Sequence, residues 1–289
     1  MKKGKSTWLL IGLLMLVLGV LAFFVFRLSG SDIKDEKMKI TILKTGKSDA
    51  IVLSSEGQNL MIDTGEVDDA EKIVQFLKDE GINTIDAMII THFDKDHVGG
   101  AGLLAETFNV KRVLIPNYEG TIAEYADFMA AMEAALIEPE RVADNLDFTL
   151  GQMSIRIEPP KTYDINTISN AVEDYDNTLS LMTEVTCGER TFLFAADADK
   201  RRLNEWLEDN QDSKFDFLKA PHHGKYNAAL ENLITAIEPE YAALTCSKKN
   251  PADDSVIELF KKYGVNVFQT RDGRITVLTD GSTIKVLQD

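Results

Sequence analysis

Only four histidines occur in the 289 residues: His92, His97, His222 and His223. All four lie in two short segments. The first reads Thr91-His92-Phe93-Asp94-Lys95-Asp96-His97-Val98-Gly99-Gly100, directly after the apolar run 87–90. It places four metal-ligating side chains, His92, Asp94, Asp96 and His97, within six residues. A tight loop behind a strand can aim such groups at one point from several directions, which one face of a helix or strand cannot. Imidazole nitrogen and carboxylate oxygen at ~2.0–2.2 Å suit Zn²⁺, and a carboxylate-rich set also suits Mn²⁺ or Fe²⁺. Gly99 and Gly100 let the backbone turn away beneath the loop and start a helix. The second segment, Ala220-Pro221-His222-His223-Gly224, again follows an apolar strand. Between the two, Phe192-Leu193-Phe194-Ala195-Ala196-Asp197 is a strand ending in a carboxylate, and Asp63 ends an earlier one. A single strand-end Asp is ordinarily a turn or cap residue. The gathering of every histidine of the chain into two such turns is what favours a metal centre, whose chemistry is water activation at neutral pH.

The elements around these turns alternate. Strands are expected at 38–43, 50–54, 59–63, 87–90, 112–115, 148–150, 153–157, 179–185, 191–195, 215–219, 241–244, 265–269, 274–278 and 283–286. Helices are expected at 68–80, 99–108, 121–136, 200–209, 228–237 and 253–263. Residues 159–177, with Pro159-Pro160 and several Asn and Asp, form the least regular stretch. Two βα-rich halves predict a two-sheet α/β layering with the polar strand ends on one edge.

The string His92-x-Asp94-x-Asp96-His97-x-Gly99-Gly100 resembles the signature of the metallo-β-lactamase fold superfamily, with Asp94 where His is usual. With Pro221-His222-His223-Gly224 it is similar to the β-lactamase-like domain of ComEC-type DNA-uptake proteins. Segments 59–65, 177–181, 193–197 and 265–281 look like the family's Asp-x-Gly strand, Asn-x-x-Ser segment, metal-bridging Asp strand and closing hairpin. The resemblance covers residues 38–289 and implies a four-layer αββα hydrolase domain holding two divalent metal ions, Zn or Mn. His92 and Asp94 would serve the first ion, and Asp96, His97 and His222 the second. Asp197 would bridge them. Which of His222 and His223 is the ligand stays open; His222 is favoured, with His223 near the substrate or just behind the ligands. Asp96 and His223 are the expected catalytic residues. The usual third histidine of the first site has no counterpart, and Asn177 or Thr178 sits in its neighbourhood. Gly46-Lys47-Ser48-Asp49 stands where Gly-Gln-Gly-Asp is usual, and Lys225 follows the His-His-Gly turn in place of Ser. The expected activity is hydrolysis of a phosphodiester or related phosphate ester. The alternatives are a cell-wall esterase of teichoic-acid or phosphocholine type, a lactonase, and a non-catalytic binding protein. Lys219 and Lys225, beside the His-His turn, are readable as phosphate partners or as solvated loop lysines.

Charge and hydropathy bear on location. The chain holds 31 Lys and Arg against 47 Asp and Glu, net −16. Residues 1–30 carry four of the bases and no acid, so the remainder has 27 bases against 47 acids, net −20. Residues 8–26 are uncharged and mostly apolar behind Lys2, Lys3 and Lys5, long enough to span a bilayer core with the N-terminus inside. The organisation expected is a basic tip and transmembrane anchor at 1–28, a linker at 29–37 and an extracytoplasmic domain at 38–289, in a single-pass protein of the cell membrane. An acidic body disfavours tight nonspecific nucleic-acid binding, although a local basic groove would permit it. Two cysteines exclude a disulfide framework.

Overall fold

The computed structural model describes residues 33, 35–164 and 175–289. The anchor expected at 1–28 lies outside the described residues, as does most of the linker. Among the described residues no helix is long and apolar enough to cross a membrane.

Two mixed sheets carry the fold. The first begins with the antiparallel strands β1 (Met38–Ile42), β2 (Ala50–Ser55) and β3 (Gln58–Thr64), then crosses through helix α1 (Ala70–Asp79). A short pair, β4 (Thr84–Ile85) and β6 (Asn109–Val110), brackets β5 (Ala87–Ile89) and helices α2 (Lys95–Val98) and α3 (Ala101–Thr107). β7 (Val113–Pro116), helix α4 (Ala123–Ala134) and β8 (Glu140–Val142) complete the parallel half. The second sheet holds β9 (Leu146–Leu150), β10 (Met153–Glu158), β11 (Met182–Cys187), β12 (Arg190–Phe194) and β13 (Phe217–Lys219), then β14 (Tyr241–Leu244) and β15 (Asn266–Gln269). Helices α5 (Tyr175–Thr178), α6 (Lys200–Asp209), α7 (Leu230–Ile237) and α8 (Asp254–Lys262) intervene. The closing hairpin β16 (Ile275–Thr279) and β17 (Ile284–Gln288) returns to the first sheet beside β1.

Strand alternation builds the layers. Ile51 and Leu53 of β2, Leu60 and Ile62 of β3, and Phe192 and Phe194 of β12 enter the core between the sheets. Their neighbours face outward to helices: Val52 and Met61 meet Ile73 and Leu77 of α1, and Leu193 meets Leu203 and Trp206 of α6. Strands covered on both faces need near-continuous apolar sequence, which is why they were legible. Asp199 starts α6 by accepting the backbone N–H of Arg202 at 2.8 Å.

Several short elements were not expected, among them β4, β6, α2 and α5, and two departures are instructive. The strand expected at 179–185 starts at Met182, because Leu179 still bonds back to Tyr175 and Asp176 of the short helix α5. Leu181 N–H then donates to Thr91 O at 2.9 Å and ties this crossing to the first histidine loop. β8, Glu-Arg-Val, has no apolar alternation and exists because β7 offers it a parallel edge. The basic runs Lys111-Arg112, Lys200-Arg201-Arg202 and Lys261-Lys262 are answered locally: Lys111 pairs with Asp86, Arg112 with Glu140 and Lys262 with Glu231, while Arg202 is buried.

Candidate metal centre

Both sheets change from antiparallel to parallel at the strands that feed the site, β3 and β12. The C-terminal ends of β3, β5, β12 and β13 therefore open onto one edge, where diverging connections leave room for a cluster. Gly100 closes the first loop: a Cβ there would lie 2.2 Å from Thr64 O, so the loop rests backbone to backbone against the end of β3.

Three imidazoles are tied back through Nδ1 and present Nε2 forward. His97 Nδ1 donates to Asp63 Oδ2 at 2.8 Å, and Asp63 also accepts the N–H and hydroxyl of Thr91, each at 2.8 Å. The Thr91 hydroxyl oxygen lies 3.0 Å from His92 Nδ1. His223 Nδ1 meets Thr245 Oγ1 at 2.9 Å and faces Asp49 Oδ1 at 3.4 Å. The three Nε2 atoms are buried and have no hydrogen-bond partner among the described residues, and neither has Asp197 Oδ1. Asp197 Oδ2 stands 2.9 Å from His223 Nε2 and 3.5 Å from His97 Nε2. Asp96 Oδ2 is 3.4 Å from His223 Nε2, and Asp94 Oδ2 is 3.5 Å from His92 Nε2.

This donor set fits divalent ions. His92, His97 and Asp197 form one group whose ligand atoms lie within 4.8 Å of one another; Asp96, His97 and His223 form a second. Nitrogens and carboxylate oxygens buried at this density are costly unless protons or a metal cation satisfy them, and imidazoles held at Nδ1 by a carboxylate or hydroxyl are the usual geometry of metal-binding histidine.

The charges are strongly coupled. Burial opposes a charged His97, but Asp197 and Asp63 outweigh it and hold its pKa well above the ordinary value. Burial likewise opposes a charged His223, yet Asp197 and Asp49 push it up to about 9. Burial would raise the Asp96 and Asp197 carboxyls, but the neighbouring histidines hold both well below the carboxylate range.

The structure places the expected residues unequally. His92, Asp96, His97 and Asp197 converge, with Asp94 at the solvent edge. Of the two adjacent histidines, His223 is buried in the cluster. The His222 side chain is 35% exposed, and its Nε2 lies 3.9 Å from Asp197. The cause is backbone geometry: both residues are left-handed, at φ 46° and 55°, so the turn directs His223 inward and His222 to the rim. Asp63 and Ala196 also have positive φ, so strained positions gather at this edge. Thr178 donates to Asp199 at 2.7 Å and is thereby engaged away from the cluster.

Lys219 is neither a solvated loop lysine nor open to a substrate. Its side chain is fully buried, bonds the Asp49 carboxylate, donates to Ala196 O at 3.0 Å and lies 3.6 Å from Asp197 Oδ1. It joins the second sheet to the turn before β2 of the first. Burial disfavours its charge, but Asp49 and Asp197 raise its pKa. Sequence reasoning gave Asp49 and Thr245 no place in the site, and read Lys219 as a phosphate partner or a solvated lysine rather than as the buried counter-charge of Asp49. Only Asp49 carried a signal, as the last residue of the Gly46–Asp49 turn.

Comparisons with known proteins agree with this geometry. The sequence model of the metallo-beta-lactamase superfamily matches residues 43–247. ComE operon protein 3 of Bacillus subtilis is 27% identical over 205 residues, covering 68% of this chain and 25% of that protein. Recombination protein 2 of Haemophilus influenzae is 24% identical over 233 residues, covering 78% of this chain and 26% of that protein. The chain thus spans about a quarter of the length of these relatives. Among solved structures, the metallo-beta-lactamase fold protein YhfI of Bacillus subtilis superposes with a TM-score of 0.57 at 11% identity, covering 86% of this chain and 99% of that one. With its family model matched over residues 43–247, the chain belongs to the metallo-β-lactamase superfamily and is a distant homologue of the competence and recombination proteins it matches.

Proposed function

We propose that the chain is a metal-dependent hydrolase of a phosphodiester or related phosphate ester. The observation that carries this reading is the convergence of three unpartnered imidazole nitrogens on Asp197. In this assignment His92 and Asp94 hold one divalent ion, Asp96, His97 and His223 hold the other, and Asp197 bridges. His223 thus replaces His222, which becomes a rim residue facing substrate. Charge is compatible with two ions: Asp49, Asp63, Asp94, Asp96 and Asp197 carry −5 against +2 from Lys47 and Lys219, and two divalent ions on neutral imidazoles would bring this to +1, in place of the two imidazolium charges of the metal-free site.

When bound, the ions supply a water nucleophile at neutral pH and polarise the ester. The chain's own groups do the positioning. Asp63 and Thr91 hold the His92 and His97 rings, and Thr245 holds that of His223. Asp96, mostly buried beside His223 and Lys47, would hold its ion and orient the water. A net of −20 outside residues 1–30 favours a short diester or cell-surface polymer over long duplex nucleic acid. The names of the relatives, competence and recombination proteins, keep nucleic-acid diesters among the substrates to be tested. The same reading anchors the chain in the cell membrane through residues 8–26, with the hydrolase domain outside.

The test is metal content and turnover of bis(p-nitrophenyl) phosphate with Zn²⁺ and Mn²⁺, beside Asp96→Ala and His97→Ala. Two ions per chain with turnover lost in both variants is the expected result. Bound metal without turnover of any ester in a panel of diesters, lactones and phosphocholine esters would leave a binding protein stabilised by its metal.

A further inference from the structure

We propose that Lys47 is the anion-recognition residue of the centre, fixing a non-bridging oxygen of a phosphoryl group beside Asp96. This rests on the hydrolase reading above and narrows its substrate to esters carrying a negative charge next to the scissile bond.

Lys47 sits in the turn between β1 and β2, immediately before the buried Ser48 and Asp49. Its Nζ lies 3.3 Å from Asp96 Oδ2, while its side chain remains 29% exposed. It therefore joins the buried cluster to solvent. The other cations nearby are committed. Lys219 is sealed behind the cluster on Asp49 and Ala196 O. Lys225 donates to Asp253 Oδ1 at 3.1 Å and Pro251 O at 3.2 Å. Lys95 is 63% exposed and reaches Glu66 at 3.5 Å. The partner of Lys47 is different in kind, because Asp96 is also a proposed metal ligand. A carboxylate shared with a divalent ion neutralises an ammonium less completely, and a substrate oxyanion can restore the missing charge. Glutamine, the residue usual in the ComEC-type turn, offers a hydrogen bond without that charge. Lys47 enters from the first sheet and His222 stands at the rim on the second, so a phosphoryl group between them meets both walls.

The test is calorimetric titration of the metal-loaded full chain with inorganic phosphate. Lys47→Gln should weaken phosphate about tenfold and Lys47→Arg less than about threefold, with Lys225→Met unchanged. Metal content, read by elemental analysis, should be equal in all four proteins. Wild-type affinity in Lys47→Gln, or no phosphate binding by the wild type, overturns the proposal. In turnover, Lys47→Gln should raise KM for bis(p-nitrophenyl) phosphate and leave neutral p-nitrophenyl acetate untouched; an equal rise for both also overturns it. Phosphate binding that depends on Lys47 without diester turnover would sustain the subsite and remove the hydrolase reading.

Discussion

Two polar regions among the described residues, a wide cavity and the metal centre, differ in what their polar atoms meet. A cavity of about 840 Å³ opens on the outer face of the second sheet, lined by Arg156, Glu158, Glu184, Arg202, Trp206 and Asn210 among others. Its charges are answered locally. Arg156 meets Glu158 at 3.1 Å, Asn210 donates to Glu158 at 3.1 Å, and Arg202 donates to Glu158 O and Ser180 O at 2.6 and 3.0 Å. Trp206 Nε1 and Glu184 Oε1 lack full hydrogen bonds there, but the indole N–H can only donate and Glu184 is a single carboxyl with no histidine beside it, so no ligand set converges. At the metal centre the atoms without a full hydrogen bond are three imidazole nitrogens and two carboxylate oxygens, of Asp49 and Asp197, which converge and offer lone pairs once the rings are neutral. Volume measures room; convergent uncompensated lone pairs measure chemistry.

Four experiments break or sharpen that contrast. The largest effect belongs to Asp197→Ala, which touches both proposed ions. Turnover should fall about 10³-fold or more, the scale seen when a group stabilising the reacting atoms is removed. Arg156→Ala in the cavity should leave turnover and metal content unchanged, and equal losses would erase the distinction. Next is Lys219→Met. It strands the buried Asp49 carboxylate and should cost about 3–5 kcal/mol by urea denaturation. The double variant Asp49→Asn/Lys219→Met should recover part of this, which a simple packing defect would not.

The third concerns protons. In the metal-free protein burial opposes a charged His223, but Asp197 and Asp49 push its pKa up from the ordinary 6.5 to about 9. Its contribution to stability is therefore complete below about pH 6.5 and lost as pH rises through 9. Denaturation midpoints of metal-free protein between pH 6 and 9.5 should fall accordingly, and His223→Gln should flatten that fall. Metal binding demands the neutral ring, so zinc added to weakly buffered protein at pH 7.5 should release protons; zinc uptake without release contradicts the assignment. The smallest effect lies in the cavity. Burial, then Glu158, raises Glu184 from 4.5 to about 7. Stability from its protonation is present below 4.5 and lost as pH rises through 7. Glu184→Gln should stabilise by about 1 kcal/mol at pH 8 and much less at pH 5, measured as Tm at the two pH values. A shift of the same size at both would detach the effect from charge.

Elements buried on both faces were legible because their apolar runs and flanking turns are local signals. The helix expected at 200–209 and the strand at 241–244 match Lys200–Asp209 and Tyr241–Leu244 residue for residue. β8 was not legible, because its pairing edge belongs to another strand. The Leu179–Leu181 segment misled because buried apolar residues read as strand even where the chain is crossing between sheets.

The same division runs through the site. His92, Asp94, Asp96 and His97 lie in one loop, so their spacing alone sets which side chains can gather, and strand-end Asp197 and the His-His turn follow from pattern. Sequence by itself determined the donor types, their loops and the α/β frame that carries them. Tertiary structure decided their directions. His223 rather than His222 faces the cluster because two successive residues take left-handed backbone conformations, which neighbours impose and composition does not encode. Lys219 became the buried counter-charge of Asp49 because β13 and the turn before β2, some 170 residues apart in sequence, meet where the two sheets converge. Ligand identity is a property of residues; ligand geometry and charge balance belong to contacts between distant segments.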